Sequence, residues 1–391
     1  MNTPAKAPLT REQIIARAVT EVPVAQDQGR WLDLCAGPGG KAALIGAIAA
    51  IDGARVDEFR AAALAAARRM AAQAGAEIDV EPETSHAAAD AIFRTLFSIP
   101  IEDATAARVF AAFRAHQDAQ PIVNLAALLP WPAWLPRPHG RRTRATAAEI
   151  RGLIAALVAA RAEALAAGTA PDDLATKIMT TPDPETGAGF SPAEMVDQVA
   201  IFFLAGHETS ASALAWALWL LAAFPEWQAR VADEAAAVLT GEAPEFAAVA
   251  RLRVARAVFR EAMRLYPPVP MMVRETTRPE VFREHPLPRG TQVVISPWYL
   301  HRHARLWDDP DGFDPGRWET ENGRACARAA YVPFSAGQRV CPGAGFAMVE
   351  GPLMLALICR DLRLTRLGQG VDATGEFHPD ALARTFAACD D

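Results

Sequence analysis

A chain of 391 residues with 51% hydrophobic content can bury one large or two medium cores, which excludes a disordered polypeptide. Its formal charge of −7 offers no general attraction to nucleic acid, and its five cysteines make no C-x-x-C pair and no even framework, against structural zinc and a secreted disulfide scaffold. No segment holds about 18 uninterrupted apolar residues, and Met1 to Ala16 lacks a signal peptide's apolar run, so the expected setting is the cytoplasm, with no membrane anchor.

In chain order, Thr10 with Gln13 forms a capping box for a helix to about Val19. Arg30 to Gly40 reads as a short buried strand running into a Gly-rich turn, with a helix over Lys41 to Ile51; exposed N–H groups at such a turn can meet a polar ligand. From there apolar residues recur at helical spacing over Glu58–Gln73, Thr84–Ser98 and Ala104–Gln117. Asn124 to Pro138 is rich in Pro and Trp and reads as an irregular connection. A long helix follows over Arg141–Ala167, whose opening Arg141, Arg142 and Arg144 read as a solvated helix start.

Ser191-Pro-Ala-Glu194 is the strongest helix start in the chain, with an N-cap serine, Pro at the first position and Glu at the third. The helix it opens reaches Phe224, is apolar nearly all round and belongs in the interior, which leaves Ala205-Gly-His-Glu-Thr209 needing an explanation. Thr209 can back-bond to the preceding turn and Glu208 can enter a buried ion pair. Two further helices cover Pro225–Leu239 and Val254–Tyr266; in the second, Glu261 and Arg264 share a face and can pair. Met271–Thr277, Thr291–Ser296 and the shorter Val281–Arg283 read as strands, and His301 and His303 as surface or hydrogen-bonding histidines.

The ten residues from Phe334 to Gly343 read Phe-Ser-Ala-Gly-Gln-Arg-Val-Cys-Pro-Gly, and an apolar helix follows over Ala344–Ile358. Pro342 suits a first helical position, which sets Cys341 just before a helix N-terminus, where N–H groups favour a thiolate. Gly337 can take a positive φ, and Gly343 lets a flat partner approach the backbone. Arg339 stands two residues before the thiol and can clamp a carboxylate.

The spacing Phe-x-x-Gly-x-Arg-x-Cys-x-Gly resembles the heme-binding loop of the heme-thiolate monooxygenases, the cytochromes P-450. The resemblance covers about residues 57–366. It implies a mainly α fold with small β-sheets, Cys341 as axial ligand to the iron of heme b (iron protoporphyrin IX), Arg339 on a propionate and Phe334 shielding the sulfur. It implies also that Ala205 and Gly206 open the long helix for dioxygen, while Glu208 and Thr209 organise water and protons. Arg274 is similar to a strand arginine that meets a propionate. Together with Phe313-Asp-Pro-Gly-Arg-Trp318, the resemblance implies a buried structural triad of Glu261, Arg264 and Arg317. The implied partners are a ferredoxin or flavoprotein electron donor, dioxygen and an apolar small-molecule substrate, with Val269–Val273 lining the cavity; Phe202, Phe203, Leu204, Val269 and Met271 suit an apolar cavity and could equally be core.

Both ends depart from the pattern. Residues 1–56 form an atypical segment ahead of a heme domain at 57–391. Within it Asp33 and Cys35-Ala-Gly-Pro-Gly-Gly40 are similar to the S-adenosylmethionine-binding motif of RNA cytosine methyltransferases, with Val56-Asp57 in place of the acid that ends their second strand. Beyond Arg366 the family's returning strand hairpin is not evident, because Gly368 to Asp391 does not alternate. A truncated, non-catalytic heme-binding protein and an S-adenosylmethionine-dependent methyltransferase are therefore the competing expectations.

Overall fold

A computed structural model describes residues 53–119, 140–182, 189–240, 246–336, 340–366 and 386–389. The elements expected before residue 53, and the connection at 124–138, lie outside them. The described chain opens on α1 (Gly53–Ala71), a two-residue strand β1 (Glu77–Ile78), α2 (Val80–Phe97) and α3 (Ala104–Asp118). Asp79 and Asp103 cap α2 and α3 by accepting N–H groups of their first turns. Then come α4 (Arg141–Ala166), α5 (Leu174–Thr180) and the 32-residue α6 (Pro192–Ala223).

The capping box that opens α6 forms as read: Ser191 Oγ accepts the Glu194 N–H at 3.3 Å and Glu194 Oε2 accepts the Ser191 N–H at 2.9 Å. Pro225 stops α6 and starts α7 (Pro225–Val238), because its ring cannot continue a helix but suits a first position. The short α8 (Phe246–Val249) leads to α9 (Arg253–Leu265), whose first three N–H groups are capped from α7 by the Glu234 carboxylate at 2.7 to 3.0 Å. Strands β2 (Met272–Glu275), β3 (Glu280–Phe282), β4 (His285–Leu287) and β5 (Gln292–Ile295) pair as antiparallel ribbons, β2 with β5 and β3 with β4. After α10 (Pro297–Leu300), a 3-10 turn at Pro315–Glu319 and α11 (Glu321–Ala329), the chain closes with α12 (Ala344–Asp361), β6 (Arg363–Arg366) and β7 (Phe386–Cys389).

Strand β7 corrects the expectation that nothing returns after Arg366. It lies between β1 and β6, antiparallel to both, with Phe386 opposite Ile78 and Arg366. Its sequence, Phe-Ala-Ala-Cys, has no alternation to read, and its partners rather than its pattern make it a strand.

Two cores meet along α6. Its C-terminal half joins α1, α7, α9 and α12 in the larger core. Its N-terminal half joins α2, α3, α4 and α5 in the other. Glycines allow two close helix–helix approaches: a Cβ on Gly351 of α12 would stand 2.3 Å from the Phe259 ring of α9, and one on Gly206 of α6 would stand 3.0 Å from Ile92 of α2. Of the two readings open for Phe203, cavity or core, the structure has the core one, its ring 4.9 Å from Phe93 and 4.4 Å from Phe113.

Candidate active site

The cysteine loop begins at the end of α11 and returns on itself. The Phe334 carbonyl accepts the Cys341 N–H at 2.8 Å, and the Phe334 side chain packs against the larger core. Cys341 is half-buried and outside any disulfide, and the neighbouring Val340 is exposed. Gly337 and Arg339 lie outside the described residues. Pro342 does not occupy the first helical position: α12 starts at Ala344 with Gly343 as N-cap, and a turn from the Cys341 carbonyl to the Ala344 N–H bridges thiol and helix. Gly343 has an ordinary φ of −82°, and a Cβ there would sit 3.7 Å from the Cys341 sulfur, so its bareness leaves the sulfur's flank uncovered.

Arg274, on β2, leans onto this loop, with Nη1 on the Val273 carbonyl at 2.9 Å and Nη2 on Ser335 Oγ at 3.4 Å. Its Nε is buried and meets no acceptor among the described residues. A buried guanidinium N–H without an acceptor is costly, and an anionic ligand group at that edge would satisfy it.

Below the loop, α9 supplies the carboxylate–guanidinium cluster. Arg264 makes a two-pronged contact with Glu261, Nε to Oε2 at 3.1 Å and Nη2 to Oε1 at 2.8 Å, and Arg317 Nε reaches the same Oε1 at 2.8 Å. The remaining guanidinium N–H groups go to carbonyls of Pro310, Gly312, His301, Asp308 and Asp309. The structure thus brings together the three residues the sequence suggested, and neither Glu261 nor Arg264 has any exposed surface.

Helix α6 carries the acid and alcohol differently from expectation. The helix runs unbroken through Ala205–Thr209, and Gly206 serves close packing on Ile92 rather than an opening. Thr209 Oγ1 donates to the Ala205 carbonyl at 2.6 Å, the back-bond its sequence allowed. Glu208 is exposed, not buried, and its Oε1 accepts Gln117 Nε2 from the end of α3 at 2.6 Å. One position either side, the helix turns inward. His207 Nε2 lies 2.9 Å from Ser85 Oγ of α2, and burial pushes its imidazole down to about 4.

One contact went unnoticed in the sequence, and one histidine, read as surface or hydrogen-bonding, takes the second of those roles. Ser210 Oγ donates to Glu350 Oε2 at 2.8 Å, tying α6 to α12, and burial pushes the Glu350 carboxyl up to about 8, so it is protonated at neutral pH. His301 is buried completely and hydrogen-bonded through Nε2 to the Val332 N–H at 2.9 Å. No local spacing announces either contact; the lone sequence signal is a carboxylate inside the apolar run of α12. Val269, Met271 and Val273, expected along the cavity, are exposed apolar side chains. Among the described residues no helix is long and apolar enough to cross a membrane.

The family model described as Cytochrome P450 matches residues 54–377. A cyclooctat-9-en-7-ol 5-monooxygenase of Streptomyces melanosporofaciens is 35% identical over 69% of this chain and 58% of its own. Cyclooctatin synthase of the same organism is 42% identical over 49% of this chain and 42% of its own, and pentalenene oxygenase of Streptomyces avermitilis 32% over 80% and 67%. The crystal structure of a cytochrome P450DA heme domain superposes with a TM-score of 0.69 at 26% identity, over 89% of this chain and 75% of that one. The chain thus spans about half the length of the first two relatives. The methyltransferase likeness of residues 11–57 is not borne out: the family match begins at residue 54, and Val56 and Asp57 lie within α1 rather than at a strand end. Asp33 and Gly37 to Gly40 lie outside the described residues.

Proposed function

The chain belongs to the cytochrome P450 family, and from that premise we propose that it is a heme-dependent monooxygenase in which Cys341 ligates the iron. The family's cofactor is heme b, and the residues present fit it. A half-buried thiol stands at the mouth of α12 beside a bare glycine, a buried Arg274 Nε awaits an acceptor, and exposed Val340, Met271 and Val273 offer apolar surface.

Bound heme supplies dioxygen activation, which delivers one oxygen atom to the substrate and releases the other as water. Cys341 would ligate the iron through Sγ, its backbone fixed on the Phe334 carbonyl. Arg274 would hold a propionate through its Nε–H, and Arg339 would hold another. Thr209 Oγ1, its proton committed to the Ala205 carbonyl, is left to accept from a water at its lone pairs. Glu208, open to solvent and bonded to Gln117 through Oε1, would organise water beside Thr209. Ala205 and Gly206 keep this part of α6 free of bulk.

The substrate is an apolar small molecule of the kind the Streptomyces relatives' names specify, and the electron donor is a ferredoxin or flavoprotein. A reducing cytoplasm is the setting that this cysteine usage suits. The heme domain occupies 57–391, with 1–56 a separate segment. The single observation that carries the assignment is the Cys341 loop closing on Phe334 at the start of α12.

A second reading, a heme-binding protein without turnover, is favoured by the exposure of Met271, Val273 and Val340. One experiment separates the two. The heme-loaded protein is given a surrogate ferredoxin and reductase, isotopically labelled dioxygen, and pentalenene or cyclooctat-9-en-7-ol as probes. A product carrying one labelled oxygen is expected; heme at full stoichiometry with no labelled product and no spectral response to either probe favours the second reading.

A further inference from the structure

One buried imidazole on the cysteine side has no part in the mechanism above. His301 has 0% exposure and sits 5.1 Å from the Tyr331 ring. Its Nε2 accepts the Val332 N–H at 2.9 Å, while its backbone carbonyl accepts Arg264 Nη1 at 2.9 Å. To accept at Nε2 the ring must be neutral there, which puts its proton on Nδ1. Nδ1 is buried, with the Met263 and Arg264 backbone beside the ring but no well-aligned acceptor among the described residues. A buried N–H left unsatisfied is a cost, and a phenyl ring in its place would avoid it, so the acceptor nitrogen is the part of this side chain that an apolar core residue could not supply.

What that nitrogen holds is the entrance to the cysteine loop. The Val332 peptide is gripped on both sides, its N–H by His301 and its carbonyl by the Ser335 N–H at 3.2 Å. Ser335 takes a positive φ of 62°, a conformation that needs such support outside glycine. Between these grips lies Phe334, on whose carbonyl the Cys341 N–H hangs at 2.8 Å. On its other side His301 is bonded to Arg264, the centre of the carboxylate–guanidinium cluster.

We propose that His301, as the neutral Nδ1–H tautomer, is a positioning residue that transmits the rigidity of the Glu261–Arg264–Arg317 cluster to the loop carrying Cys341. Without the acceptor, the Val332 peptide has no fixed register against the cluster, and Phe334 no longer presents its carbonyl to the Cys341 amide. The proposal rests on Cys341 as the iron ligand and extends it to the question of what aims the sulfur.

The test uses the full chain with His301→Phe, which keeps an aromatic ring against Tyr331 but accepts nothing, and His301→Gln, which offers a neutral amide oxygen. In the heme-loaded, reduced and carbon-monoxide-treated state, the Phe variant is expected to lose most of the red-shifted thiolate band, while the Gln variant keeps it. Amide exchange at Val332 and Cys341, measured without heme, should quicken by about tenfold or more in the Phe variant and much less in the Gln variant. A folded Phe variant with the parent's thiolate band overturns the proposal, as does a folded Gln variant that loses the band as fully as Phe. If the Phe variant does not fold, the parent decides: a Val332 amide that exchanges as fast as an exposed loop amide contradicts the acceptor bond. A parent that lacks the thiolate band but protects Val332 points instead to a failure of the Cys341 assignment.

Discussion

The carboxylate–guanidinium cluster beneath the cysteine loop and the acid–alcohol segment of α6 both place charged or polar groups in a helix, yet they are built in opposite ways. Around Glu261, both oxygens and the bonded guanidinium groups find partners within the protein, and the Glu261 and Arg264 side chains are wholly enclosed. Around Thr209, the alcohol falls back on its own helix and the acid faces outward to Gln117. The first region is finished before any ligand arrives; the second holds its polar atoms in reserve. Under the proposed function, the enclosed cluster would serve rigidity and the outward-facing segment would meet water.

The contrast is sharpest under mutation. Glu261→Gln leaves two guanidinium groups without their charge partner in a closed site and should lower stability by about 3–5 kcal/mol, read by chemical denaturation. A loss below about 1 kcal/mol would show the cluster to be loosely built.

Acidity comes next in size. His207 and His301 stay neutral in the folded protein down to about pH 4, whereas in the unfolded chain they take up a proton below about pH 6.5. In that window the unfolded state binds more protons, so stability falls as pH drops through it, by up to about 3 kcal/mol for each imidazole. Glu350 acts in the other direction: the folded carboxyl keeps its proton until about pH 8 and the unfolded one releases it earlier, so stability falls as pH rises over that range. Denaturation midpoints of His207→Phe and Glu350→Gln across pH 4 to 8 should each flatten one arm of the profile.

Thr209→Ala removes the hydroxyl but leaves α6 its hydrogen bonds, so substrate oxidation should fall by about a hundredfold with stability within about 1 kcal/mol of the parent. Equal losses in both would make Thr209 a packing residue. The smallest effect belongs to Gly206→Ala, where a contact with the flexible end of Ile92 offsets a gain in helix propensity and the net change should stay within about 1 kcal/mol.

How much of this could be read from the sequence follows the reach of each contact. The capping box at Ser191 and the pairing of Glu261 with Arg264 are settled within one turn of helix, and both were legible. The carbonyls of Pro310 and Gly312 that complete Arg264 are 46 and 48 residues away, and the Ser210–Glu350 bond spans 140, so no local pattern could announce them. Glu208 was expected inside because its helix is apolar nearly all round; the pattern marks the helix as interior without telling where its neighbours stop. Strand β7 was missed because four residues with no alternation become a strand only when two others flank them.

The central claim is that the Cys341 sulfur binds heme iron, and a single spectrum addresses it. Reduced and exposed to carbon monoxide, the purified heme-loaded protein should show the strongly red-shifted Soret band of thiolate ligation, and Cys341→Ala should abolish it. A band that persists unchanged in Cys341→Ala would contradict the account.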